Sequence, residues 1–271
     1  MSNDINPTAG LPDDHPFSGK RGTATMRDAI NARLVGSTTP TGSRAELAAA
    51  TRIIIDELMR STAADLQLED AAALVKRAAA LLQEQSHGRG YVGVAEGSLA
   101  NGHQSFIDFS PFIGVLNPLA PPISVRFDAK GDVTATCTYG AAYEGPPGCL
   151  HGGFIAAGFD EILGFAQAQS GQPGMTGRLT ISYRSPTPLF REVRFVGRLD
   201  RVEGRKIYAS AELLVGDTLC AEAEGLFISM KPEVFDRLLK LRIGNESAGA
   251  TDHPDQPDEP VEPHQGAKAR D

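Results

Sequence analysis

The stretch that decides the reading is Cys149-Leu150-His151-Gly152-Gly153-Phe154-Ile155-Ala156-Ala157-Gly158-Phe159-Asp160-Glu161-Ile162-Leu163-Gly164-Phe165-Ala166. It follows Gly145-Pro146-Pro147-Gly148, a loop of the kind that leads into a helix start. From Phe154 to Ala168 the residues are apolar or small nearly all round, which predicts a helix buried inside the fold. Asp160 and Glu161 interrupt that run, and an ionised carboxylate there is costly unless something pairs with it or uses it. Gly152 and Gly153, without Cβ atoms, allow a ligand close to the backbone. The first N–H groups of a helix lack intrahelical acceptors. Helped by the helix dipole, such an N–H polarises a carbonyl or holds an oxyanion.

Spacing adds a constraint. Asp160 follows His151 by nine residues, a rise of roughly 13.5 Å in a continuous helix. Gly152 and Asp160 lie about 12 Å apart along the same axis. They cannot meet around one scissile bond within one chain. If both act on one substrate, one of them comes from a second subunit across a two-fold axis.

Outward from the helix, the order of elements predicts an α+β architecture. Ser124-Val125-Arg126-Phe127 and Val133 to Tyr139 flank the turn Ala129-Lys130-Gly131-Asp132, a hairpin pattern. After the helix come Leu179–Arg184, Glu192–Arg201, Lys206–Val215 and Leu219–Met230, rich in β-branched or alternating residues. Short links predict antiparallel neighbours and a four-strand meander. One sheet wrapped around a central helix covers it on one side, so the outer sheet face is expected to need cover from a second subunit or the N-terminal helices. Upstream, Ala45–Arg60 and Asp65–Gln85 read as two amphipathic helices joined around Ser61-Thr62. The boundaries are then an irregular arm over 1–43, a helical extension and connecting loop over 44–121, the sheet-and-helix domain over 122–231, and a short helix with a disordered acidic, Pro-rich tail over 232–271. Phe106, Phe109 and Phe112 are anchors for the long connection, whose length suits a lid.

Composition narrows the classes. A chain of 271 residues, 41% hydrophobic, supports one substantial core or two small ones. It holds no apolar run of the ~18 residues a membrane span needs. The acid-bearing N-terminus, unlike a presequence, and three cysteines (Cys137, Cys149, Cys220) fit a reducing, cytoplasmic location. A net charge of −8 argues against nucleic-acid binding. His15, His87, His103, His253 and His264 are scattered, so no metal constellation is expected. No G-x-S-x-G elbow or Walker-type loop is present.

The segment Gly148 to Asp160, continued by Met175-Thr176-Gly177-Arg178-Leu179-Thr180-Ile181-Ser182-Tyr183-Arg184-Ser185-Pro186-Thr187-Pro188-Leu189, resembles the HGG (PaaI-like) hotdog-fold acyl-CoA thioesterases. The resemblance covers roughly 120–231. It implies a hotdog fold, hydrolysis of an acyl-CoA to free acid and coenzyme A, a place in lipid metabolism, and a homodimer or homotetramer with composite sites. It implies no metal or prosthetic group, coenzyme A being part of the substrate. It also implies roles for the residues. The N–H of Gly153 or nearby polarises the thioester carbonyl, and Asp160 from the partner activates water or attacks directly. Thr176 positions that water or the acid, and His151 hydrogen-bonds near the thioester or supports the loop. Gly152, Glu161 and Arg184 are expected to contact substrate, and Arg191, Arg194 and Arg198 are further candidates for its phosphates.

Other readings stay open at this stage. His151 also reads as a helix-start residue satisfied by backbone, the glycines as aids to helix–sheet packing, and Asp160 as a structural acid paired with an arginine. Glu161 also reads as a solubilising neighbour at one edge, and Thr176 as a strand-start residue. Cys149 beside His151 lacks a third orienting group for a nucleophile. Two alternative functions remain: an acyl-CoA-binding module without turnover, and a hotdog dehydratase or hydratase.

Overall fold

The computed structural model describes residues 41–84 and 108–229, apart from 122, 129 and 173. Nearly all of the expected arm over 1–43, the expected helix and tail over 232–271, and the anchor Phe106 lie outside those residues. In chain order the elements are α1 (Ser43–Arg60), α2 (Asp65–Gln83), β1 (Ser124–Phe127), β2 (Val133–Thr138), a 3-10 turn (Ala141–Tyr143), α3 (Gly152–Ala168), β3 (Gly174–Tyr183), β4 (Glu192–Glu203), β5 (Lys206–Val215) and β6 (Thr218–Ser229).

The strands form one antiparallel sheet in the order β1-β2-β4-β5-β6-β3, and α3 lies against its inner face. Period-two alternation makes that face apolar: Val193, Phe195, Ile207, Ala209, Ala211, Leu213, Ala223 and Phe227 are all buried. From α3 come Ile155, Phe159, Ile162, Leu163 and Phe165, with Phe159 set edge-on to Phe195 at 5.4 Å between ring centroids.

Three expectations need correction. The last four strands are not a meander. β4, β5 and β6 follow one another through short links, but β3 crosses to the far edge beside β6, and β4 pairs with β2. The connection between β3 and β4 carries Pro186 and Pro188 and is long enough for that crossing. The outer sheet face is more polar than a face in need of apolar cover, presenting Thr180, Ser182, Arg198, Ser210, Glu212, Glu222 and Glu224 beside the half-buried Val196, Tyr208, Leu214 and Leu226. Finally, α3 is not buried all round. Gly153 and Asp160 are exposed and Ala157 and Gly164 half-buried, so one narrow side consists of small residues and an acid.

Close approach explains Gly158. A Cβ there would sit 2.6 Å from Phe195 Cζ in the tightest part of the helix–sheet contact. Gly158→Ala improves helix propensity, yet the overpacking is expected to dominate and cost about 1–3 kcal/mol, read from urea unfolding.

The extension is fastened at α1. The Arg52 guanidinium donates to the carbonyls of Ala120 (3.0 Å), Gly114 (3.1 Å), Val115 (2.7 Å) and Asn117 (2.9 Å). One planar fork thereby organises the whole 114–120 loop. One turn on, Asp56 Oδ1 accepts from Ala141 N–H at 2.9 Å, at the start of the 3-10 turn. By contrast, α2 buries none of its residues.

Candidate active site

The approach to α3 is pinned before the helix begins. Leu150 N–H donates to Thr187 O at 2.8 Å, Leu189 N–H to Gly148 O at 3.0 Å, and His151 N–H to Tyr143 O at 2.9 Å. The chain after β3 therefore holds one side of the loop and the 3-10 turn the other. His151 is the N-cap, extended at φ −63° and ψ 132°. Its carbonyl accepts from Phe154 and Ile155 N–H, and its Nδ1 accepts from Gly153 N–H at 3.0 Å. The first helical N–H, that of Gly152, has no hydrogen-bond acceptor among the described residues. Tyr183, at the end of β3, donates its hydroxyl to Gly152 O at 2.9 Å and so fixes the next peptide, Gly152–Gly153.

Gly152 and Gly153 open onto a hollow of about 650 Å³, shared with Cys149, Tyr183, Arg184 and Thr187. Thr187 is 2% exposed, and its Oγ1 is buried without a partner among the described residues. Arg184 stands at the rim, with its guanidinium on the Glu222 carboxylate.

The second part of the site lies further along the helix. Asp160 is exposed, and Thr176 Oγ1, on β3, donates to its Oδ1 at 2.8 Å. β3 bends here: its register with β6 shifts between Thr176 and Arg178. Because α3 is continuous from Gly152 to Ala168, the Gly152 N–H and the Asp160 carboxylate are separated by about 12 Å along a rigid axis. Both lie close to β3, the sheet-edge strand whose outer side pairs with nothing among the described residues.

A thioesterase superfamily model matches residues 147–224. A crystal structure of a thioesterase superfamily protein, 32% identical in sequence, aligns at a TM-score of 0.62 over 70% of this chain and 97% of its own. This chain belongs to the thioesterase superfamily. Its sheet and central helix are the hotdog fold. Bovine (Bos taurus) acyl-coenzyme A thioesterase THEM4 is 41% identical over 113 residues, 40% of this chain and 46% of THEM4. The Xenopus laevis THEM4 is 34% identical over 110 residues, 39% of this chain and 50% of its own. The chain therefore spans about half the length of the curated relatives it matches.

Within this superfamily member the expected site residues divide into three groups. His151, Gly152, Gly153 and Arg184 gather at the start of α3, and Asp160 and Thr176 pair at its middle. Glu161 joins neither group. It is turned beneath the 108–113 segment, where the buried Ser110 donates its hydroxyl to Glu161 Oε1 at 3.0 Å. Burial pushes the Glu161 carboxyl above the ordinary carboxylate range, with Asp160 adding to the rise and the Ser110 hydrogen bond opposing it. A carboxylate whose folded pKa is raised binds its proton more tightly in the folded state. Its burial therefore costs nothing below the ordinary carboxylate pKa and lowers stability as pH rises through the folded value. Glu161→Gln is expected to raise the thermal midpoint at pH 7. The gap over wild type should close as pH falls below the ordinary carboxylate range.

Sequence reasoning missed Tyr183 as the brace on Gly152, and Arg52 and Asp56 as the fastening of the extension. It also missed Thr187. An aromatic hydroxyl in the strand downstream of the helix was the only signal for the first. The thiol of Cys137 is pushed up to about 12 by burial and is inert. Cys149 lines the hollow, and the Nδ1 of the neighbouring His151 is occupied by the Gly153 N–H. Among the described residues no group of three or more His, Cys, Asp or Glu is placed to hold a metal ion, and no helix there is long and apolar enough to cross a membrane.

Proposed function

We propose that the chain hydrolyses an acyl-CoA thioester at a site completed by two copies, each giving its helix start to one substrate and its Asp160 to the other. The observation that carries this is the unpartnered Gly152 N–H and the Thr176-oriented Asp160 carboxylate, both solvent-open and too far apart on α3 to serve one bond. The pairing edge is β3. An unpaired strand with Met175 52% exposed is a ready template for its own copy. Antiparallel pairing there would bring the Asp160–Thr176 pair of one copy towards the partner's helix start.

In the reaction, the thioester carbonyl oxygen sits on the Gly152 N–H at the positive end of α3. Thr176 occupies Asp160 Oδ1, so the other carboxylate oxygen faces the attacking water and takes its proton. The water oxygen bonds to the carbonyl carbon, and the oxyanion that forms is held by the Gly152 N–H. Collapse breaks the C–S bond, and the thiolate of coenzyme A leaves with the proton held by Asp160. Gly153, with its N–H on His151, shapes the helix start. His151 acts as the cap that leaves Gly152 free. Arg184 stands where it can reach a phosphate of coenzyme A, and Thr187 lies in the wall of the hollow. Glu161 is left out of this site.

The relatives named acyl-coenzyme A thioesterases support the substrate class. The test is release of coenzyme A thiol, followed with a thiol-reactive dye over acyl-CoAs from acetyl to palmitoyl and aromatic ones. Turnover of at least one is expected. Tight binding of these thioesters without thiol release would make the chain a binding module instead.

A further inference from the structure

We propose that the outer face of α2 is a second self-association surface, on which a second copy of this chain docks its own α2 antiparallel. This stands apart from the hydrolytic reading and from the β3 edge. The helix is 19 residues long and buries none of them, while Leu66 is 70%, Leu74 70% and Leu81 58% exposed. Three large leucines exposed on one helix face, about two turns apart, mark a contact surface. It is distinct from the side turned to α1, where Val75, Ala78, Ala79 and Leu82 line a groove with Leu47 and Thr51.

The order of residues on the outer stripe identifies the occupant. At helical spacing it reads Leu66, Asp70, Leu74, Arg77, Leu81. Reversed, the pattern is the same in hydropathy and opposite in charge. In an antiparallel pair, Leu66 meets the partner's Leu81 and Asp70 meets the partner's Arg77. The two Leu74 side chains then flank the axis. A two-fold interface requires this self-complementarity, each contact occurring twice, once from each copy. Neither Asp70 nor Arg77 forms an ion pair with a described residue of its own chain, so among the described residues nothing competes with a pairing across the axis. A different partner protein would have no reason to match a stripe that is its own complement.

Charge reversal tests this directly, using sedimentation equilibrium of the full chain over a dilution series. Asp70→Arg faces Arg77 with a like charge, and Arg77→Asp does the same to Asp70. Each single variant is expected to weaken self-association by at least about tenfold and lower the mean mass. The double variant Asp70→Arg/Arg77→Asp restores both pairs and should regain the wild-type mass. So should an equimolar mixture of the two single variants, whose mixed pairs place opposite charges face to face. Because both positions are exposed, loss of folding is not the cause of a lowered mass, and recovery in the mixture confirms it. Single variants with wild-type mass, or a loss that neither the double variant nor the mixture repairs, would overturn the proposal. Either result would assign the stripe to a different partner or to none.

Discussion

Asp160→Asn is expected to lower acyl-CoA turnover by about 10²- to 10⁴-fold, the range for losing a positioned general base. The substitution isolates the chemistry. Asn keeps an oxygen that accepts from Thr176 Oγ1, so the 2.8 Å hydrogen bond and the local geometry persist. Asp160 is exposed on the chain described, so its replacement leaves the core of Phe159, Ile162 and Leu163 untouched. Thiol release is the readout, with substrate affinity measured separately by equilibrium binding. The expected pattern is a collapse in kcat with binding retained, because the carboxylate acts on water rather than holding coenzyme A. A variant with wild-type kcat would remove Asp160 from the mechanism. The reaction would then need another base, and the nearest acid in sequence, Glu161, is turned away beneath Ser110.

That contrast shows what the sequence could and could not convey. The helix Gly152–Ala168 was legible because its signals are local: two glycines after a Gly/Pro loop, an acid in an apolar run, and a spacing that converts directly into distance. The strand patterns around it conveyed an antiparallel sheet but not its strand order, and the hotdog fold came with the family resemblance carried by that helix and the strand after it. Adjacent helical residues, however, point about 100° apart, and nothing in Asp160-Glu161 itself says which one the 108–113 segment covers. The fold decides that, through Ser110, 51 residues upstream of Glu161. The place of β3 beside β6 departs from the expected meander for a similar reason. Short links force neighbours, but the long, proline-bearing link after β3 leaves the chain free to cross the sheet, and the free edges of β2 and β6 determine where each strand goes. Arg52 was invisible because its four acceptors are backbone carbonyls 62–68 residues away, which carry no sequence signature.

Gly152→Pro is expected to lower kcat by about 10²- to 10³-fold, the usual loss for one oxyanion donor, while the protein stays folded. Proline is well suited to this test because it deletes the N–H and is tolerated at the first position of a helix. His151, the residue before it, already has the extended backbone that proline demands of its predecessor. A Cβ at Gly152 would lie 3.4 Å from the Tyr183 hydroxyl, an ordinary contact. Gly152→Ala keeps the N–H and is therefore the control, expected to retain most activity. The two inactive variants together then test the composite site. In a mixed dimer of Asp160→Asn with Gly152→Pro, one site combines both lesions, while the other combines an intact Asp160 with the partner's intact Gly152. Random exchange of subunits should restore about a quarter of wild-type turnover, as expected for a two-fold dimer with one residue of each pair from each subunit. If both groups served the same chain's site, every site in the mixture would carry one lesion and no activity would return. Recovery on mixing, set against the inactivity of each variant alone, would locate the catalytic unit in the pair of chains rather than in either one.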